Sequence, residues 1–84
     1  TVSIGTLSAS LVHPREVFKP AVLASAAGVV ICHNHPSGDH APSVEDKEVT
    51  NRIVKAGQIM GIPVLDHVIV SESGYFSFKE SGLI

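Results

Sequence analysis

The chain has 84 residues, 44% of them hydrophobic, with six Lys and Arg against eight Asp and Glu. A chain this short holds one domain with a small core, and its apolar content excludes a disordered polypeptide. The basic residues are scattered, no apolar run could span a bilayer and the lone Cys32 permits no internal disulfide, so nucleic-acid and membrane roles find no support and a reducing, cytoplasmic setting is the default.

The chain opens at Thr1 on an apolar, β-branched stretch without an initiator Met, and so reads as a fragment of a longer protein. Thr1–Val12 predicts a strand, broken by His13-Pro14. Arg15–Ala27 is helical in composition, but Pro20 lacks an N–H and clashes with the preceding turn. The preferred reading makes Pro14–Phe18 a short turn and starts the helix at Pro20; a helix kinked at Pro20 is the alternative. Gly28 ends it in either case. Val29–Cys32 is a continuous apolar run, expected as a strand buried on both faces. His33–Pro42 is rich in loop formers. Ser43–Met60 predicts the strongest helix, with Val49, Ile53, Ala56 and Met60 as its apolar stripe and Gly61 closing it. Pro63–Val70 reads as a second apolar strand, Ser71–Gly74 as a turn, and Tyr75–Phe78 as a hairpin strand pairing back. Strands alternating with helices predict a three-layer α/β domain whose sheet the hairpin makes mixed.

His33 and His35 follow the buried strand. Alternation along an extended chain puts residues two apart on one face, so both imidazoles converge and Cys32 points away. Open α/β sheets place ligands at these carboxyl ends of strands. Asp46 lies in the first turn of the strong helix, within about 60° of Val49, Ile53 and Met60 at 3.6 residues per turn. A carboxylate on that inward stripe is costly unless paired. A metal ion compensates it most simply: two His nitrogens, one Asp oxygen and a water make a tetrahedral zinc site with an open position. Zinc lowers the pKa of such a water toward about 7 and polarises a carbonyl. Ser43 stands three residues before Asp46, a spacing that also reads as a capping box. A hydroxyl at that helix N-terminus can also donate to a developing oxyanion.

His33-Asn34-His35-Pro36-Ser37-Gly38-Asp39, followed by Pro42-Ser43 and Asp46, resembles the JAMM (MPN+) motif: H-x-H, seven residues, S-x-x-D. In its H-N-H-P-S-G-D form, with His13-Pro14-Arg15-Glu16 before it and Val64-Leu65-Asp66-His67 after it, the chain is similar to RadC-type bacterial proteins over nearly its whole length. The resemblance implies a cytidine-deaminase-like α/β/α fold. It implies His33, His35 and Asp46 as zinc ligands, Ser43 as the stabiliser of a tetrahedral intermediate, and a metallopeptidase or isopeptidase acting on a peptide or protein. It also implies a general-base glutamate on an earlier strand. Glu16, Glu45 and Glu48 do not fit that place, so this base is expected before Thr1, and these residues alone are expected to turn over little substrate.

Two other readings stand beside this one. One is an interaction module of the same fold without catalysis. The other is a DNA-repair-associated hydrolase, suggested only by the label RadC proteins carry. The letters His33-Asn34-His35 do not indicate an HNH nuclease, where such residues are spread along a ββα unit. His67 reads as structural, with support of a neighbouring site as the alternative. His13 and His40 read as solvated, and Asn34 and Ser37 as loop residues that can touch substrate. The edge hairpin with Tyr75, Phe76 and Phe78 can accept an extended peptide by strand addition or serve as a dimer edge.

Overall fold

The computed structural model describes residues 1–7, 13–35 and 38–84. The elements run β1 (Val2–Leu7), α1 (Pro14–Leu23), β2 (Gly28–Asn34), α2 (Val44–Met60), β3 (Val64–Ser71) and β4 (Gly74–Ser77). The 8–12 portion of the expected first strand, and the loop residues Pro36 and Ser37, lie outside the described residues.

The four strands form one sheet in the order β1-β2-β3-β4. β1, β2 and β3 are parallel, and β4 returns antiparallel to β3. This is the expected α/β architecture with a mixed sheet. Because the parallel strands sit side by side in chain order, both crossovers return over the same face. Val17, Phe18 and Ala21 of α1 share one buried cluster with Ile53 of α2 and with Val29, Ile31 and Val64 of the sheet. The described residues thus build two layers of the three expected. The opposite sheet face carries the exposed Val2, Ile4, Val70 and Tyr75.

Pro20 lies inside α1, which begins at Pro14, so the helix does not wait for Pro20 to start. Pro14 fills a first-turn position, where a missing N–H loses nothing. Pro20 costs one internal bond, to the Glu16 carbonyl; both residues are exposed, so that carbonyl can turn to water. The helix also stops at Leu23, well before Gly28, which starts β2. Ser25 takes the left-handed conformation at φ 53°. Ala26 N–H then bonds the Ala21 carbonyl and Ser25 N–H the Val22 carbonyl, the Schellman arrangement that glycine usually provides.

α2 buries Asp46, Thr50, Ile53 and Gly57. This stripe differs from the expected one: Val49 and Ala56 are only half-buried, and Met60 is exposed. Gly57 is the point of closest approach. A Cβ there would lie 2.5 Å from the Ile62 carbonyl oxygen and 3.2 Å from Phe18 Cζ. The Ile62 N–H also bonds the Gly57 carbonyl at 2.9 Å, so this backbone cannot easily retreat. Gly57→Ala is therefore expected to destabilise by about 1–3 kcal/mol through overpacking, outweighing the roughly 1 kcal/mol that helix propensity favours. Urea denaturation checks this; an unchanged or raised midpoint would contradict the packing.

Candidate metal centre

β2 ends at Asn34, but His35 N–H still bonds the Val70 carbonyl at 2.9 Å, so the extended alternation reaches His35. His33 and His35 consequently face one another, ring centroids 4.6 Å apart and edge to face. Cys32, half-buried, is absent from the cluster they form. Asp46 enters from the first turn of α2. One nitrogen from each histidine and one Asp46 oxygen lie within 4.8 Å of one another, close enough to hold a metal ion together. The structure thus brings together the three residues expected as ligands.

Both histidines present a ring nitrogen to the Asp46 carboxylate. His33 Nδ1 lies 3.3 Å from Asp46 Oδ1, and His35 Nε2 lies 3.2 Å from Asp46 Oδ2. His35 Nδ1 stands 3.0 Å from the Asp39 carbonyl oxygen, which can only accept, so Nδ1 carries hydrogen. In the neutral ring, Nε2 is then a lone pair turned toward a carboxylate. Burial pushes the His33 imidazole below its ordinary value, and His35 adds to this against the opposing pull of Asp46. His33 Nδ1 is buried and makes no hydrogen bond among the described residues. Burial alone would raise the Asp46 carboxyl, but hydrogen bonds with Ser43 and the two nearby histidines bring it below its ordinary value. One nitrogen from each of His33 and His35 thus converges with the Asp46 carboxylate, and this donor set fits zinc.

Ser43 is the N-cap of α2. Its Oγ accepts the Asp46 N–H at 3.0 Å, and its own N–H donates to Asp46 Oδ2 at 2.8 Å. The capping box is therefore real, and it orients the carboxylate. The Ser43 hydroxyl hydrogen is not used in it. The loop after His35 is fastened to the β3–β4 turn, with Ser73 Oγ donating to the Gly38 carbonyl and standing 3.2 Å from His40 Nδ1. Glu16, Glu45 and Glu48 are all exposed, and none belongs to the metal-holding group.

Two residues behind this site were undervalued in the sequence. His67 is fully buried. Its ring stacks on Phe78 at 4.5 Å and lies 6.0 Å from the His33 ring at an interplanar angle of 27°. Thr50 Oγ1 sits between His67 Nδ1, at 2.6 Å, and the Asp46 carbonyl oxygen, at 2.7 Å. Thr50 had a legible signal: it stands one turn after Asp46 on the same inward face. Asp66, beside His67, takes hydrogen bonds from Ser77 Oγ, Lys79 N–H and the His67 N–H, tying β4 to β3.

Burial pushes His67 from its ordinary 6.5 to about 4; His33 and His35 lower it further, against the raising effect of Asp46 and Asp66. Between these values the unfolded chain binds more protons than the folded one. Stability therefore rises with pH across that window and is lost as pH falls through it. The metal-free protein is expected to lose on the order of 3 kcal/mol between pH 6.5 and 4. His33, also lowered, acts in the same direction. Asp46 acts lower: its contribution is present above 3.8 and lost as pH falls further. Urea midpoints measured with a chelator present check this, and His67→Gln should flatten the upper window.

A family model described as RadC-like JAB domain matches residues 1–83. A UPF0758 protein of Rubrobacter xylanophilus is 69% identical over 84 residues, all of this chain and 37% of that protein. A UPF0758 protein of Symbiobacterium thermophilum is 61% identical over 83 residues, 99% of this chain and 36% of that protein. A UPF0758 protein of Thermotoga maritima is 55% identical over 82 residues, 98% of this chain and 37% of that protein. The chain spans little more than a third of the length of these curated relatives. Among the described residues, no helix is long and apolar enough to cross a membrane.

Proposed function

Because this chain belongs to the family of RadC-like JAB domains, we propose that it forms the zinc-binding part of a hydrolase that cleaves amide bonds in peptides or proteins. His33, His35 and Asp46 are the protein's ligands in this reading. The observation that carries it is the convergence of His33 and His35 on Asp46: a His33 Nδ1 that is buried and has no hydrogen bond among the described residues faces a carboxylate that also meets His35 Nε2. Bound zinc supplies Lewis acidity to a scissile carbonyl and acidifies water.

The chain's own residues do the rest. The capping box holds Asp46 in place through Ser43, and the Asp39 carbonyl holds the His35 ring. The free Ser43 hydrogen donates to the oxygen that gains charge as the carbonyl is attacked. Among the described residues no glutamate joins this group, and the reading assigns none of them the role of general base. Glu16, Glu45 and Glu48 stay exposed and outside the group, which favours a second reading, a zinc-binding interaction module without turnover. A cytoplasmic setting suits either.

Metal analysis of the purified protein, with hydrolysis assays on peptide and isopeptide substrates, tests the proposal. Stoichiometric zinc with chelator-sensitive hydrolysis is expected. Absence of zinc under metal-replete conditions would overturn it, and zinc without hydrolysis would leave the second reading.

A further inference from the structure

We infer that His67 is a positioning residue of the His33–His35–Asp46 site, holding the first turn of α2 through Thr50 and backing the His33 ring. The inference rests on reading that group as a metal site.

The hydrogen count along the Thr50 link determines one tautomer. Thr50 Oγ1 lies 2.7 Å from the Asp46 carbonyl oxygen and 2.6 Å from His67 Nδ1. A hydroxyl has one hydrogen, and a carbonyl can only accept. The 2.7 Å oxygen–oxygen contact needs a hydrogen between its atoms, so the Thr50 hydroxyl donates to Asp46. Its oxygen is then left to accept, and His67 Nδ1 must be the donor. The ring is neutral with hydrogen on Nδ1, and Nε2 is a bare lone pair. Nε2 is buried and makes no hydrogen bond among the described residues.

That lone pair argues against a merely space-filling role. A buried polar atom without a partner is costly. Leucine or phenylalanine would fill the space beside Phe78 without that penalty. What an apolar side chain cannot do is donate to Thr50. The chain from His67 Nδ1–H through Thr50 Oγ1–H ends on the backbone of Asp46, the residue whose carboxylate faces both histidines. The same ring stands between Phe78 and His33, so it also limits how far the His33 ring can turn. One side chain thus bears on two of the three ligands from behind and touches neither donor atom.

The test is zinc affinity, measured by competition with a chelator in the full chain. In asparagine the amide nitrogen is as far from Cβ as Nδ1 is in histidine, whereas in glutamine it reaches the Nε2 position. His67→Asn should therefore keep affinity close to wild type, while His67→Gln and His67→Leu should weaken it by about 10- to 100-fold. Thr50→Val, which keeps shape and removes the hydroxyl, should weaken it equally and serves if His67→Leu does not fold. Nitrogen NMR of the metal-free protein should find His67 protonated on Nδ1 and bare on Nε2. Wild-type affinity in all four variants, or a proton on Nε2, would overturn the inference while the metal reading stands. A wild-type protein that binds no zinc would overturn both.

Discussion

Replacing His33 with alanine is expected to weaken zinc binding by about two to three orders of magnitude and to leave the metal-free fold intact. Structural zinc sites bind with roughly 10–16 kcal/mol from four ligands, so one ligand carries about 3 kcal/mol or more. The effect on the apo protein has the opposite character. His33 is buried, and its Nδ1 faces an ionised carboxylate without making a hydrogen bond among the described residues. Alanine removes that arrangement, which offsets the packing lost with the ring. The metal-free variant should therefore denature at nearly the same urea concentration as metal-free wild type, while added zinc stabilises wild type alone. An equal zinc-dependent rise in both would exclude His33 as a ligand. Joint loss of affinity and apo stability would make His33 a packing residue first.

Legibility followed strand and helix parity, and ended where parity breaks. His33, His35 and Cys32 could be sorted because β2 is regular to its end and His35 stays paired to Val70. Asp46 could be placed because α2 is regular over its whole length. His67 could not. β3 has an irregularity opposite Val29/Val30, so Val64 and then His67 and Ile69 point to the helices. Simple alternation from Val64 would have turned His67 outward. The course of α1 failed for another reason. Pro20 forbids a bond inside a helix, but the cost depends on whether the freed carbonyl meets water, a tertiary fact. Met60 misled because its angular position is right while the residue stays 46% exposed in the last turn. Layer number was equally hidden, since sequential strand order sends both crossovers over one face.

Ser43 separates two roles that one side chain fills, and substitutions can pull them apart. As N-cap its oxygen accepts the Asp46 N–H, and Ser43→Ala is expected to destabilise by about 1 kcal/mol. As an oxyanion donor it acts through a hydrogen the cap does not use, and loss of such a donor lowers kcat by about a hundred- to thousandfold. Ser43→Asp keeps a capping oxygen as good as serine's, yet an ionised aspartate has nothing to donate. It should match wild type in urea midpoint and keep its zinc while losing at least as much turnover as Ser43→Ala. The backbone N–H that Ser43 gives to Asp46 Oδ2 survives either change, so the carboxylate keeps its orientation. Full turnover in Ser43→Asp would reduce Ser43 to a cap. Loss of zinc in both variants would show instead that the cap acts through Asp46, the carboxylate it holds between His33 and His35.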